Sequence, residues 1–230
     1  MSLSYAVIIP AYNAERTIDE TLRSVLNQTV SPAEIVVVDD GSTDETVSIA
    51  ESFGKSVRVL RQSNSGPGSA TNRGMHFVTA DVFALLDADD LWLSDKMRQQ
   101  LEVLSANPDL AVVGCKMRQF LHGHADDGLG EVRGGLLRSV IAIRRKVYAD
   151  VGDFVDTPGY SGEVIDWLAR LREKGHSTLE IDSVLALRRV ISGSLSSKTS
   201  PLRNTGYLKA AYLSMLRRKN LKGDGGVTTP

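Results

Sequence analysis

The chain has 230 residues, 42% of them hydrophobic, and 27 Lys and Arg against 28 Asp and Glu leave a formal net charge of -1. That is enough apolar material for the core of one large domain, and the near-neutral balance gives no global argument for nucleic acid or an acidic polymer as partner. A single cysteine, Cys115, excludes an intramolecular disulfide framework and a cysteine-based zinc site, and no apolar run approaches the roughly eighteen residues that span a bilayer, so a cytoplasmic protein is expected.

Tyr5 to Ile9 is a β-branched run closed by Pro10, and Glu15 to Gln28 carries Ile18, Leu22, Val25 and Leu26 at helical spacing. The unit repeats. Ile35 to Val38 is an apolar strand ending in Asp39-Asp40-Gly41, and Ser42-Thr43-Asp44-Glu45 has the capping-box form that opens a helix through Phe53. A third strand, Val57 to Leu60, leads into Asn64-Ser65-Gly66-Pro67-Gly68 and a helix from Ser69 to Val78. The fourth, Val82 to Leu86, ends abruptly in Asp87, Asp89 and Asp90. Next come a helix over Asp95 to Leu104, a strand over Leu110 to Gly114, a loop over His122 to Gly128 and an apolar segment from Leu136 to Ile143. Helices over Arg144 to Val151, Glu163 to Lys174 and Tyr207 to Arg218, with a strand over Val184 to Val190, complete the pattern.

Alternating apolar strands and helices predict a parallel sheet covered on both faces, whose ligands sit beyond the carboxyl ends of the strands. Four polar clusters follow strand ends here: Pro10 to Asn13, Asp39-Asp40, Asn64 to Gly68 and Asp87 to Asp90. Three acids within four residues repel one another and require a positive partner. Closely spaced carboxylates are hard ligands for Mg²⁺ or Mn²⁺, ions that bridge such acids to a substrate diphosphate, although an acidic turn capping the next helix has the same pattern. Asp39-Asp40 at a strand end suits a hydrogen bond from a base imide or a ribose hydroxyl, and Arg73 offers a guanidinium to phosphate or carboxylate.

Val7 to Asn13, Val36 to Asp44, Asn64 to Gly68 with Asn72-Arg73-Gly74, and Leu86 to Asp90 together resemble, in order and spacing across about the first 120 residues, the family 2 glycosyltransferases of the GT-A fold. The resemblance implies an α/β fold with a Rossmann-like nucleotide-binding sheet over residues 4–120, a mixed, smaller acceptor-side half over 121–204, and a C-terminal helix and tail over 205–230. It further implies an inverting, Mn²⁺- or Mg²⁺-dependent transfer of a sugar from a nucleotide-diphospho-sugar, a UDP-sugar foremost. Asp40 would lie at the base, Asp87 near the ribose or metal and Asp89 on the metal, with Tyr12 and the backbone of Pro10 and Ala11 lining the base pocket. Asp39, Asn64, Gly68, Arg73 and Ala88 complete the expected nucleotide contacts.

Two positions depart from the family pattern. Relatives carry Glu-Asp at the start of the helix that reads here Glu163-Val164-Ile165-Asp166, the Asp being the catalytic base; Val164 stands in its place, so Glu163 or Asp166 is expected to serve. A His that follows a basic pair such as Arg188-Arg189 in relatives is replaced by Val190-Ile191-Ser192-Gly193, which leaves His122 and His124 as alternative ligands and Arg188, Arg189 and Lys198 to close over a diphosphate. The departures keep open a catalytically silent nucleotide-sugar-binding protein, and a nucleotidyltransferase is a further rival that lacks its usual Gly-rich basic loop after the first strand. The last helix sets Leu208, Ala211, Tyr212, Met215 and Leu216 beside Lys209, Arg217, Arg218 and Lys219, a pattern suited to packing on the domain, to a homodimer contact, or to peripheral contact with an anionic membrane that carries a lipid-linked acceptor.

Overall fold

The computed structural model describes residues 3–157, 162–191 and 201–223. In chain order the elements are β1 (Tyr5–Ala11), α1 (Ile18–Leu26), β2 (Glu34–Asp39), α2 (Thr46–Glu51), β3 (Arg58–Arg61), α3 (Pro67–Phe77), β4 (Val82–Leu85), β5 (Leu91–Trp92), α4 (Lys96–Ala106), β6 (Leu110–Leu121), β7 (Val132–Arg133), β8 (Ala142–Arg144), α5 (Arg145–Val151), α6 (Glu163–Glu173), β9 (Ser177–Val190) and α7 (Pro201–Gly223). They form one mixed sheet in the order β3-β2-β1-β4-β8-β6-β9-β5, with β7 on the far part of β6. The first four strands are parallel, as the alternating pattern requires; β8 runs antiparallel to β4 and β6.

Val7, Ile8, Ile9, Val36 to Val38 and Val82 to Leu86 are all but inaccessible to solvent, because crossover helices cover both faces of this part of the sheet. α3 packs on β1 and β2 so closely that a Cβ on Gly74 would lie 2.5 Å from Ile8 Cγ2. The parallel strands thereby bring all four polar clusters to one edge.

Several elements differ from their sequence expectation. β1 continues through Pro10 because that residue points its nitrogen toward β4, which has already ended: the last bond on that side is Leu86 N–H to Ile8 O. The capping box does not form. Ser42 Oγ instead accepts from the Asn13 N–H, and Asp44 accepts from Glu15 N–H and Thr46 N–H, so α2 starts three residues later. β6 and β9 run on well beyond their apolar cores, paired with each other from Leu110 and Ser177 to Leu121 and Val190. Their extensions intersperse polar with apolar residues, Cys115 to Leu121 of β6 mixing buried and partly exposed positions and Ser177 to Ser183 of β9 largely exposed, which hides them from a search for continuous apolar runs. α7 begins at Pro201, earlier than expected. Among the described residues no helix is long and apolar enough to cross a membrane.

Candidate functional site

The loops at the carboxyl edge are stitched to one another by side chains. Asn13, at φ 49°, accepts from Thr43 N–H through Oδ1 at 2.9 Å. Asp40 holds the loop after β3: its Oδ1 accepts from Gln62 Nε2 and Ser65 N–H, both at 2.8 Å, and its Oδ2 from Gly66 N–H at 2.9 Å. Gly66 takes φ 98°, a conformation open to glycine, and α3 begins at the following Pro67. Asp39 is buried, accepts from Ser42 N–H, and lies 4.0 Å from Arg61. Both acids therefore hold the loops at this edge together. Tyr12 stands exposed at the end of β1, while Pro10 and Ala11 are buried in the strand and Ala11 O accepts from Asp40 N–H. Asn64 is exposed beside Gly41. Gly68 and Ser69 donate their N–H groups to Asp156, and Arg73 is exposed further along α3.

The acid turn after β4 is anchored from three directions. Ala88 O accepts from Thr17 and Thr21 hydroxyls on or beside α1. Asp90 is buried and fully engaged, accepting from Ser139 Oγ at 2.6 Å and from Arg189 N–H at 3.0 Å. Burial, and then the charges of Asp89 and Asp87, push its carboxyl well above the usual range. Asp87 stays 40% exposed and accepts from Arg138 Nη1 at 3.0 Å. Asp89 is half-buried; burial first, and then the neighbouring Asp87, push its carboxyl up to about 6.

Arg138 joins this turn to α6, donating from Nη2 to Glu163 Oε1 at 2.6 Å. Burial raises the Glu163 carboxyl, with Arg138 opposing, and its Oε2 has no hydrogen-bond partner among the described residues. Glu163 therefore stands with the rim acids. Asp166 does not: it is buried between Arg170 Nε at 2.9 Å and Arg217 Nη1 at 2.9 Å, in a network that docks α7 on α6.

Arg189 is not free to close over a ligand. Its buried guanidinium donates to Asp89 O at 2.9 Å and Glu20 Oε2 at 2.5 Å and stacks on the Phe120 ring at 4.7 Å. Arg188 remains half-buried near Asp89, whose charge it favours. His122 meets Arg189 at 3.4 Å, and His124 lies in the following loop. Lys198 is outside the described residues.

Among the described residues no group of three or more acids, histidines or cysteines is disposed to hold an ion. The donor set nevertheless fits Mg²⁺ or Mn²⁺, which are held by one or two carboxylates when substrate phosphates supply further oxygens. Asp87 and Asp89 would be such a pair, and a cation would offset the burial and then the Asp87 charge that together raise the Asp89 carboxyl.

Arg138, Ser139, Thr17, Thr21 and Asp156 escaped the sequence reading. Arg138 and Ser139 had a signal: two polar residues inside the apolar run from Leu136 to Ile143. In the fold they form a buried 3-10 turn, and Ser139 O accepts from Trp92 Nε1 at 2.7 Å.

Residues 6–158 match the model of Glycosyl transferase family 2. The chain is 37% identical over 115 residues to an uncharacterized glycosyltransferase of Nostoc sp., a stretch covering 48% of this chain and 36% of that protein. It is 37% identical over 113 residues to the uncharacterized glycosyltransferase EpsJ of Bacillus subtilis, covering 48% and 33%. The matched region thus spans about a third of the length of these relatives. Among solved structures, S. aureus TarS 1-349 in complex with UDP-GlcNAc superposes with a TM-score of 0.76 at 20% identity, over 93% of this chain and 66% of that one. The mannosyltransferase PcManGT from Pyrobaculum calidifontis, in complex with GDP-Man and Mn²⁺, gives 0.68 at 18% identity, over 93% and 70%. These structural likenesses establish the expected GT-A fold. With two thirds of its length matched by the family model, the chain belongs to glycosyl transferase family 2.

Proposed function

We propose that the chain transfers a sugar from a nucleotide-diphospho-sugar, a UDP-sugar foremost, to an acceptor hydroxyl with inversion at the anomeric carbon. The observation that carries this reading is the bridge from Asp87 through Arg138 to Glu163, which sets a basic carboxylate beside the acid turn on a rim built for a nucleotide. Asp39, Asp40 and Tyr12 receive the base, and the half-buried Arg188 faces the phosphates. Mn²⁺ or Mg²⁺, held by Asp87 and Asp89, would supply positive charge to the departing diphosphate. The complexes of the two similar structures with UDP-GlcNAc and with GDP-Man and Mn²⁺ support a donor of this class.

Glu163 is the residue assigned to take the acceptor proton. Its elevated carboxyl is a stronger base than an exposed glutamate, and among the described residues no donor competes for Oε2. Asp166, committed to Arg170 and Arg217, is left out of the chemistry.

A second element of the reading concerns the acceptor. α7 exposes Leu208, Tyr212 and Met215 in one stripe, with Lys209 and Lys219 exposed on the same helix and no acid between Pro201 and Gly223. This combination suits peripheral contact with an anionic lipid surface and hence a lipid-linked acceptor.

A thermal-shift panel of nucleotides with and without Mn²⁺, followed by donor turnover of Glu163→Gln, tests the function. Stabilisation by UDP and a loss of turnover of about 10²-fold or more in the variant are expected. Stabilisation by ATP or CTP but by no nucleoside diphosphate would contradict it.

A further inference from the structure

Arg138 sits between two acids that arrive from different elements. Its Nη1 is 3.0 Å from Asp87 Oδ1, at the end of β4, and its Nη2 is 2.6 Å from Glu163 Oε1, at the start of α6. Two buried atoms at this junction have no hydrogen-bond partner among the described residues: Arg138 Nε and Glu163 Oε2. Nε and Nη2 share one edge of a guanidinium, so both orphans belong to the side on which Glu163 stands. A hydroxyl is a small group that can donate to a carboxylate oxygen and accept from an N–H at once. Buried groups of this kind in a native fold call for an explanation, and a ligand hydroxyl supplies one.

Resting on the reading of Glu163 as the base, we propose that Arg138 is the positioning residue of that base and its link to Asp87: the guanidinium holds Oε1, so that Oε2 alone is presented to the acceptor hydroxyl. In the transfer the acceptor O–H bond breaks and its proton goes to Glu163 Oε2. The acceptor oxygen bonds to the anomeric carbon as the bond from that carbon to the diphosphate oxygen breaks, its electron pair leaving with the diphosphate.

The residue type matters, because two carboxylates on separate elements need two donors fixed in one plane, which a lysine ammonium does not provide. The mounting is rigid as well. Ser139, the next residue, donates to Asp90 and accepts from Asp87 N–H, so one short turn holds both the acid cluster and the base. Its neighbours are charged on every side: Asp87 and Asp156 repel the Glu163 charge and Arg138 attracts it.

A double-mutant cycle over Arg138→Met and Glu163→Gln tests the assignment, with Arg138→Lys as a milder variant should Arg138→Met fail to fold. Turnover of UDP-GlcNAc, UDP-glucose and GDP-mannose with water as acceptor is measured beside UDP and GDP binding by calorimetry. Arg138→Met is expected to lower kcat about 10²-fold while shifting donor KM by less than about tenfold. In the Glu163→Gln background the same substitution is expected to cost less than about twofold more, because the two residues act as a unit. Additive losses, or an Arg138→Met turnover within about twofold of the wild type, overturn the assignment. A wild type that binds UDP or GDP but turns over none of the three donors overturns the roles of Glu163 and Arg138 and leaves the nucleotide site standing. A wild type that binds neither nucleotide overturns the proposed function as well.

Discussion

The carboxylate of Asp156 caps α3 at Gly68, with Oδ1 2.9 Å from the Gly68 N–H and Oδ2 2.8 Å from the Ser69 N–H. A residue that follows α5 thus closes the loop after β3. There is no room for a side chain at the contact, since a Cβ on Gly68 would lie 2.8 Å from Asp156 Oδ1. Losing the cap by Asp156→Ala should cost about 1 kcal/mol. Gly68→Ala should cost a similar amount in the wild type by displacing Asp156. After Asp156→Ala it should become neutral or stabilising, because alanine outranks glycine inside a helix. Urea unfolding of the four proteins reads this reversal, and simple additivity would contradict the capping role.

Lys96 gives the protein a titration above neutral pH. Its ammonium is wholly buried on α4, over the Trp92 ring at 4.0 Å and donating to Gln100 Oε1 at 2.8 Å. Burial pushes it down to about 8 from 10.5, with Cys115 opposing. Between those two values the unfolded chain binds more protons than the folded one, so stability rises with pH across that window; below about 8 both states are protonated and the desolvation cost is felt in full. The wild type should therefore gain about 2 kcal/mol relative to Lys96→Met between pH 7.5 and 10. Parallel pH profiles for the two proteins, by chemical denaturation, would contradict this.

The exposed face of α7 leads to a membrane prediction. Arg217 turns inward to Asp166 and to Glu173, 2.6 Å from its Nε, which leaves Leu208, Tyr212 and Met215 outward. Vesicles containing phosphatidylglycerol should sediment the protein and pure phosphatidylcholine vesicles should not, and Leu208→Glu with Met215→Glu should abolish the difference. Equal recovery in the supernatant with both lipids would remove the membrane reading. A dimer in solution that the same substitutions dissociate would assign the face to a second copy of the chain.

The parallel strands and their polar ends were legible in the sequence because β1, β2 and β4 are short, largely apolar runs with a rim cluster at the end of each, while β3, Arg-Val-Leu-Arg, is marked mainly by the turn residues that come after it. Asp87, Asp89 and Asp90 were visible as acids in need of positive charge. The identity of what meets them was not, because Arg138 and Ser139 lie about fifty residues later inside an apolar run and reach the turn only through the β4–β8 pairing. Arg189 was expected over a diphosphate, but Glu20 on α1 and the Phe120 ring on β6 hold it inside the fold, contacts that no local pattern encodes. Similarly, Glu163 and Asp166 are both acids in the first turn of one helix, and the sequence separates them only by a narrow preference for Glu163 and by the i,i+4 spacing of Asp166 and Arg170. The three-residue spacing sends one toward Arg138 and the other toward Arg170 and Arg217, and the second of these partners lies on a helix whose docking the sequence does not specify.

In the proposed function this rim holds a nucleoside diphosphate through a metal seated on Asp87 and Asp89. Calorimetric titration of UDP with and without Mn²⁺, on the wild type and on Asp89→Ala, tests it most directly. Mn²⁺ should strengthen UDP binding by about tenfold or more in the wild type and do nothing for Asp89→Ala. Equal metal enhancement in both proteins, or no UDP binding by the wild type, would contradict it.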